Sequence, residues 1–448
     1  VNEQWMVHDS YDTRFRNPFG AVPAGQSVTL RLQVREPEAP EVVLLRIGKD
    51  GAQMQDIQMQ PVWSTDGKTM FEAVISAPVE PGWLWYYFLC QKDGHTFYYG
   101  NNSSEYGGRG DISHRVPPPY QITVYRHGAA TPSWFKESVM YQIFVDRFYN
   151  GCEDGAVLQP KKECLLHGQW NNTPLYIRDP KTNRVIRWDF YGGNLYGVKK
   201  KLPYLQSLGV NVIYLNPIFE APSSHKYDTA DYHQVDPMFG SNALFQELCR
   251  EAETFGISII LDGVFSHTGS DSLYFNKEGS YPAVGAYQSK DSPYYKWYCF
   301  KSYPNEYDCW WGVDVLPNVN EEEPSYRDFI IHGEDSVLKH WQRLGAKGWR
   351  LDVADELPDS FIQQFRAVMK QQDENSILIG EVWEDASNKI SYGERRGYLL
   401  GDELDSVMNY PFRRIALDFV LGHCDAGAAH AALMSLYENY PPIISTAL

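Results

Sequence analysis

The chain has 448 residues, 43% of them hydrophobic, which is enough for two or three packed domains and too apolar for a disordered protein. Its 40 basic and 57 acidic residues leave a formal charge of −17, which argues against a nucleic-acid or anionic-membrane partner and suits a neutral substrate. No run reaches the roughly 18 apolar residues of a membrane span. The opening Val1-Asn2-Glu3-Gln4-Trp5 does not read as a signal segment, and seven scattered cysteines suit a reducing, cytoplasmic setting, with a trimmed mature chain as the alternative.

Residues 1–125 alternate apolar and polar positions in short runs, such as Ser27 to Val34 and Trp83 to Cys90, broken by Pro/Gly turns. This pattern predicts an all-β sandwich. A Pro-rich stretch from Arg115 through Pro132 reads as a linker. Strands then alternate with helices, as in a parallel sheet wrapped by helices. The strand candidates are Val139 to Val145, Val210 to Leu215, Ile257 to Val264, Trp349 to Val353, Ile377 to Glu381 and the weaker Leu404 to Met408. Amphipathic stretches at Asn242 to Phe255 and Asp335 to Leu344 read as helices between them. Residues 268–323, rich in Tyr, Ser, Pro and Trp, are too long for a plain connection and read as an inserted functional segment or small domain.

Chemistry gathers just past the strand ends. Asp352 closes Gly348-Trp349-Arg350-Leu351-Asp352, and Glu381 opens Glu381-Val382-Trp383 after Ile377-Leu378-Ile379-Gly380. Two carboxylates at neighbouring strand ends of a parallel barrel are the layout for glycoside cleavage. Polar clusters end two earlier strands: His225-Lys226-Tyr227-Asp228-Thr229-Ala230-Asp231-Tyr232 and Asp262-Gly263-Val264-Phe265-Ser266-His267. A lone His or Tyr-Asp pair is more often structural; clusters at the same edge of successive strands point to a site. The many aromatics, 15% of the chain, suit sugar-ring faces as well as ordinary cores.

In these motifs the chain resembles the α-amylase family of glycoside hydrolases, in its neopullulanase, cyclomaltodextrinase and maltogenic amylase branch. Asp262 to His267, Gly348 to Asp352 and Gly380 to Trp383 resemble the family's first three conserved regions, and Leu316-Pro317-Asn318-Val319-Asn320 the motif closing its inserted domain B. The resemblance implies a starch-binding-like, immunoglobulin-like N-terminal sandwich (1–125), an α/β (β/α)8 barrel of TIM type (126–267 and 324–448) and domain B (268–323). It implies that Asp352 is the nucleophile and Glu381 the general acid, with Arg350 keeping Asp352 ionised. Tyr227 would stack on the reacting sugar, His267 would bind its hydroxyls, and Trp383 would wall the leaving-group side. Asp228 and Asp262 read as structural partners.

The Asn150-Gly151-Cys152-Glu153-Asp154 and Gly192-Gly193-Asn194 strings resemble the place where some relatives hold calcium, which would make Asn150, Asp154 and Asn194 ligands. A Cys and an Asn stand where those relatives often have Asp, and a metal-free turn is the alternative. The family's fourth region, with its third carboxylate, has no counterpart before Leu448. On this reading the chain is a fragment whose barrel stops after six strands and whose turnover is strongly impaired.

The implied activity is retaining hydrolysis of α-1,4, and in some substrates α-1,6, glucosidic bonds in maltooligosaccharides, cyclodextrins, starch or pullulan. The alternatives are a 4-α-glucanotransferase, in which a sugar hydroxyl replaces water, and a glucan-binding pseudoenzyme. No cofactor is required, and the expected partners are the α-glucan and a second copy docked through the N-terminal domain.

Overall fold

A computed structural model describes residues 4–36 and 40–448. Residues 1–3, part of the start read for a targeting segment, lie outside the described residues. The chain divides into two compact units: 1–131 together with 382–448, and 132–381.

In the first unit the alternating runs do what their period dictates. Ser27–Arg35 pairs antiparallel with Lys68–Ser76, and Val42–Lys49 with Gly82–Lys92. Every second side chain of Ser27–Arg35 points inward, so Val28, Leu30, Leu32 and Val34 pack in one core with Leu45, Tyr86, Phe88 and Ile122. Two mostly antiparallel sheets share that core. Residues 382–448 group with this unit. Long-range polar contacts account for the grouping. Arg16 and Glu438 form an ion pair of 2.6 Å with both side chains buried, and Thr123 Oγ1 donates to the Asn439 carbonyl at 2.7 Å. This segment carries the short strand Ser406–Val407 and the helices Tyr410–Val420 and Ala426–Asn439.

The second unit is built on five parallel strands, here β1 (Met140–Ile143), β2 (Val212–Leu215), β3 (Ser258–Gly263), β4 (Gly348–Leu351) and β5 (Ile377–Gly380), adjacent in chain order. Between them run α1 (Leu195–Lys200), α2 (Leu202–Ser207), α3 (Asn242–Thr254), α4 (Val337–Arg343) and α5 (Asp359–Gln372). Strands β2, β4 and β5 are buried along their whole length, as expected of sheet covered on both faces. Helix α3 starts where the Ser241 hydroxyl caps the Leu244 N–H at 3.2 Å, and it buries Leu244, Phe245, Leu248 and Ala252 at helical spacing. From β4, Trp349 meets Phe365 of α5 edge to face at 5.8 Å. Gly348 is required by close approach, because a Cβ there would overlap the Ile377 carbonyl oxygen on β5. Residues 268–323 stay within this unit and hold the hairpin Phe300–Ser302 with Glu306–Tyr307. Among the described residues no helix is long and apolar enough to cross a membrane.

Candidate active site

Strand register brings the acidic residues together. Asp262 on β3 pairs with Arg350 on β4, and Leu351 on β4 with Gly380 on β5. Asp352 and Glu381 are therefore the next residues on neighbouring strands, about 4.8 Å apart along the hydrogen-bonding direction. The ladder continues through them: Asp352 N–H donates to the Gly263 carbonyl and Glu381 N–H to the Leu351 carbonyl, each at 3.0 Å.

One guanidinium holds three carboxylates. Arg350 Nη1 donates to Asp262 Oδ1 at 2.9 Å and to Asp352 Oδ1 at 2.7 Å, and Nη2 reaches Glu381 Oε2 at 2.8 Å. A single planar fork thus keeps the Asp352 and Glu381 oxygens within roughly 8 Å of each other. Glu381 Oε2 also accepts the Val353 N–H at 2.9 Å. Val353 itself lies at φ 37°, ψ 71°, a left-handed conformation that β-branched residues avoid. Strain of this kind persists where surrounding structure enforces it, and it often marks a working site.

Further donors converge on Asp262. Its Oδ2 accepts from Tyr227 Oη at 3.0 Å and from Tyr214 Oη. Asn216 Nδ2 donates to Tyr227 Oη, and Gln142 Nε2 to Asn216 Oδ1, both at 3.0 Å. One polar network therefore crosses all five strands. Sequence patterning does not single out Tyr214 or Asn216, because a Tyr inside Val212-Ile213-Tyr214-Leu215 looks like core. The usable signal is a hydroxyl-bearing residue in a strand otherwise wholly aliphatic.

Electrostatics follow from three acids around one cation in a buried setting. Burial, then the Asp262 charge, push Asp352 up to about 8 against the pull of Arg350. Burial likewise raises Asp262, opposed by Arg350 and the two tyrosines. The charge of Arg350, expected to act on Asp352, is shared among Asp352, Asp262 and Glu381. Burial also lowers His267 to about 4, so its imidazole is neutral at pH 7. His267 Nε2 lies 3.0 Å from the Tyr227 carbonyl, which can only accept, so Nε2 carries the hydrogen and Nδ1 accepts from Ser266 Oγ at 3.1 Å. Both ring nitrogens are thus engaged, Nε2 with the Tyr227 carbonyl and Nδ1 with the Ser266 hydroxyl, and a bond from His267 to a sugar hydroxyl requires one of these to be released. Trp383 falls in the first unit and is 43% exposed.

The residues suggested for calcium form an amide clasp. Asn194 Nδ2 donates to Asn150 Oδ1 at 3.0 Å, and Asn194 Oδ1 accepts from Gly151 and Gly197 N–H at 3.1 and 2.9 Å. Asn150 Oδ1 also accepts from Cys152 N–H at 2.9 Å. The Asp154 carboxylate is exposed and accepts from Ala156 N–H at 3.0 Å. A hard cation needs six to eight oxygens. With both amide oxygens taken by N–H donors and one exposed carboxylate, these residues do not fit that demand. Among the described residues no group of three or more His, Cys, Asp or Glu side chains could hold a metal.

A cavity of about 660 Å³ in the first unit is lined by Trp85, Asn101, Asn388 and Arg395 among others. Its buried carboxylates are committed, Glu438 to Arg16 and Asp385 to the Ser387 N–H.

The family model of the alpha-amylase catalytic domain matches residues 142–442. The chain belongs to the alpha-amylase family. It is 40% identical to an amylopullulanase of Thermoanaerobacterium saccharolyticum over 97% of this chain and 36% of the relative. It is 38% identical to neopullulanase 2 of Thermoactinomyces vulgaris over 69% of this chain and 48% of that protein. Among solved structures, a cyclomaltodextrinase superposes with a TM-score of 0.60 at 27% identity, covering 97% of this chain and 69% of the other. The neopullulanase and cyclomaltodextrinase names are those of the branch of the family that the sequence motifs resemble. The chain spans well under half the length of the amylopullulanase and about half that of neopullulanase 2.

Proposed function

We propose that this alpha-amylase family chain carries the catalytic carboxylates of a retaining glycoside hydrolase acting on α-1,4 and α-1,6 glucosidic bonds of maltooligosaccharides, cyclodextrins and pullulan. The observation that carries the reading is the Arg350 fork, which holds Asp352 and Glu381 at adjacent strand ends. Retention needs two carboxyl groups roughly 5 Å apart, about the spacing of adjacent strands. The proton that burial holds on Asp352 passes to Glu381 before the reaction, so that ionised Asp352 attacks the anomeric carbon while Glu381 gives that proton to the departing glycosidic oxygen. The resulting glycosyl ester on Asp352 is then opened by water, whose proton returns to Glu381. Tyr227 offers its ring to the reacting sugar, and Asp262 anchors the Arg350 and Tyr227 side chains that frame the site. Names of relatives that act on pullulan and cyclodextrin support this substrate class. Cys90, Cys152, Cys164, Cys249, Cys299, Cys309 and Cys424 are all free thiols, which supports a reducing, cytoplasmic setting.

The test uses an activated substrate. Incubation with 5-fluoro-α-glucosyl fluoride, followed by digestion and mass spectrometry, should place a covalent sugar on the peptide containing Asp352. Glu381→Gln should retain labelling, because fluoride leaves without a proton, and Asp352→Asn should abolish it. A label on any other residue refutes the assignment.

A further inference from the structure

We propose that Trp311 is a stacking platform for a glucose ring at least one unit away from the bond to be cleaved, and that it sets the preference for extended over short α-glucans. The inference rests on the α-glucan reading above and deepens it.

The turn Trp310–Gly312 is tethered to the site at its base and at its tip. At the base, Cys309 bridges to Pro317, and the neighbouring Asn318 bridges to His267. The Trp310 ring lies 5.9 Å from His267, and Trp311 stacks on Trp310 at 5.2 Å with only 14° between the planes. At the tip, Trp311 Nε1 donates to Glu356 Oε1 at 3.1 Å. Glu356 closes the short turn Ala354–Glu356 that begins two residues after Asp352. The indole is therefore oriented by contacts leading to both halves of the site.

Folding alone does not explain this placement. Trp311 is 65% exposed, with Val313 and Val315 beside it also exposed. Its backbone sits at φ 49°, ψ 33°, a region that glycine adopts freely and other residues seldom enter. A large apolar ring held toward solvent on a strained backbone costs stability twice; the flat face of a sugar covering the ring relieves the exposure, while the strain remains as the cost of presenting it.

The test measures binding by calorimetry on the full 448-residue chain carrying Asp352→Asn, so that nothing turns over, with maltohexaose and maltose as probes. Trp311→Ala and Trp311→Gly should weaken maltohexaose about tenfold while shifting maltose less than about twofold, and Trp311→Phe should keep most of the affinity. Trp311→Gly should leave the melting temperature unchanged or raise it, because glycine is unstrained at this φ. Unchanged maltohexaose affinity in both variants, equal losses for the two sugars, or a marked fall in melting temperature for Trp311→Gly would each overturn the proposal. If the parent Asp352→Asn chain binds neither sugar, the α-glucan reading itself fails and this inference falls with it.

Discussion

Replacing Asp352 by Asn should stabilise the protein, and increasingly so as pH rises. Asp352 is buried beside Asp262, and its pKa is raised from 3.8 to about 8. A carboxyl group whose folded value lies above its unfolded value stabilises the fold in its protonated form. That stability is complete below the unfolded value and is lost as pH climbs through the folded one. The window therefore runs from about pH 4 to about pH 8. Asn resembles the neutral acid at every pH, so the variant is spared the loss. Each pKa unit corresponds to about 1.4 kcal/mol, which sets an upper limit of roughly 4 kcal/mol between about pH 5 and pH 8. Relaxation of the shared Arg350 charge and water entry reduce this to about 2 kcal/mol. For a unit of this size that is a shift of about 4–8 °C. Scanning calorimetry of the parent and Asp352→Asn at about pH 5, 6.5 and 8 reads it directly. A melting gap that stays constant or narrows as pH rises would refute the argument that Asp352 is held against its charge.

Other consequences are equally concrete. Tyr214→Phe removes a donor to the buried Asp262 and should cost about 1–3 kcal/mol in urea unfolding. Gly348→Ala drives a methyl group into the β5 backbone at Ile377 and should cost roughly 1–3 kcal/mol or more, visible as a fall in melting temperature and soluble yield. Chelation by EDTA or addition of calcium should leave the melting temperature unchanged, because the Asn150–Asn194 clasp is complete without an ion.

The parts of the fold written in local pattern are legible from the amino-acid order alone. Short aliphatic runs mark β1 to β5 to within a residue or two, and the Leu244-Phe245-Leu248 stripe marks α3, because each depends on the period of its own backbone. The neighbouring positions of Asp352 and Glu381 are legible for the same reason: both sit one step past a strand. Sequence does not supply what is decided by partners distant in the chain. Arg350 serves three acids drawn from β3, β4 and β5, and Gln142 joins the same network from β1, across more than two hundred residues of chain. The grouping of 382–448 with the N-terminal unit depends on pairs such as Arg16 with Glu438, separated by 422 positions. The Asn150–Asn194 clasp is a third case. The sequence offers oxygen-bearing side chains, and only their hydrogen bonds reveal that the oxygens are occupied.

Strand β1 stands at the margin of the parallel sheet, and Met140 and Tyr141 on it, with Val139 just before, are exposed. A margin of that kind is adhesive: its unpaired peptide groups can dock against a like strand from a neighbouring molecule, and its apolar side chains reward the encounter. Handling of the purified chain should reflect this, with sedimentation turning concentration-dependent and light scattering rising on storage. Lysines at 140 and 141 would introduce repulsion along that margin, and restored monodispersity in such a variant would trace the adhesion to this one strand.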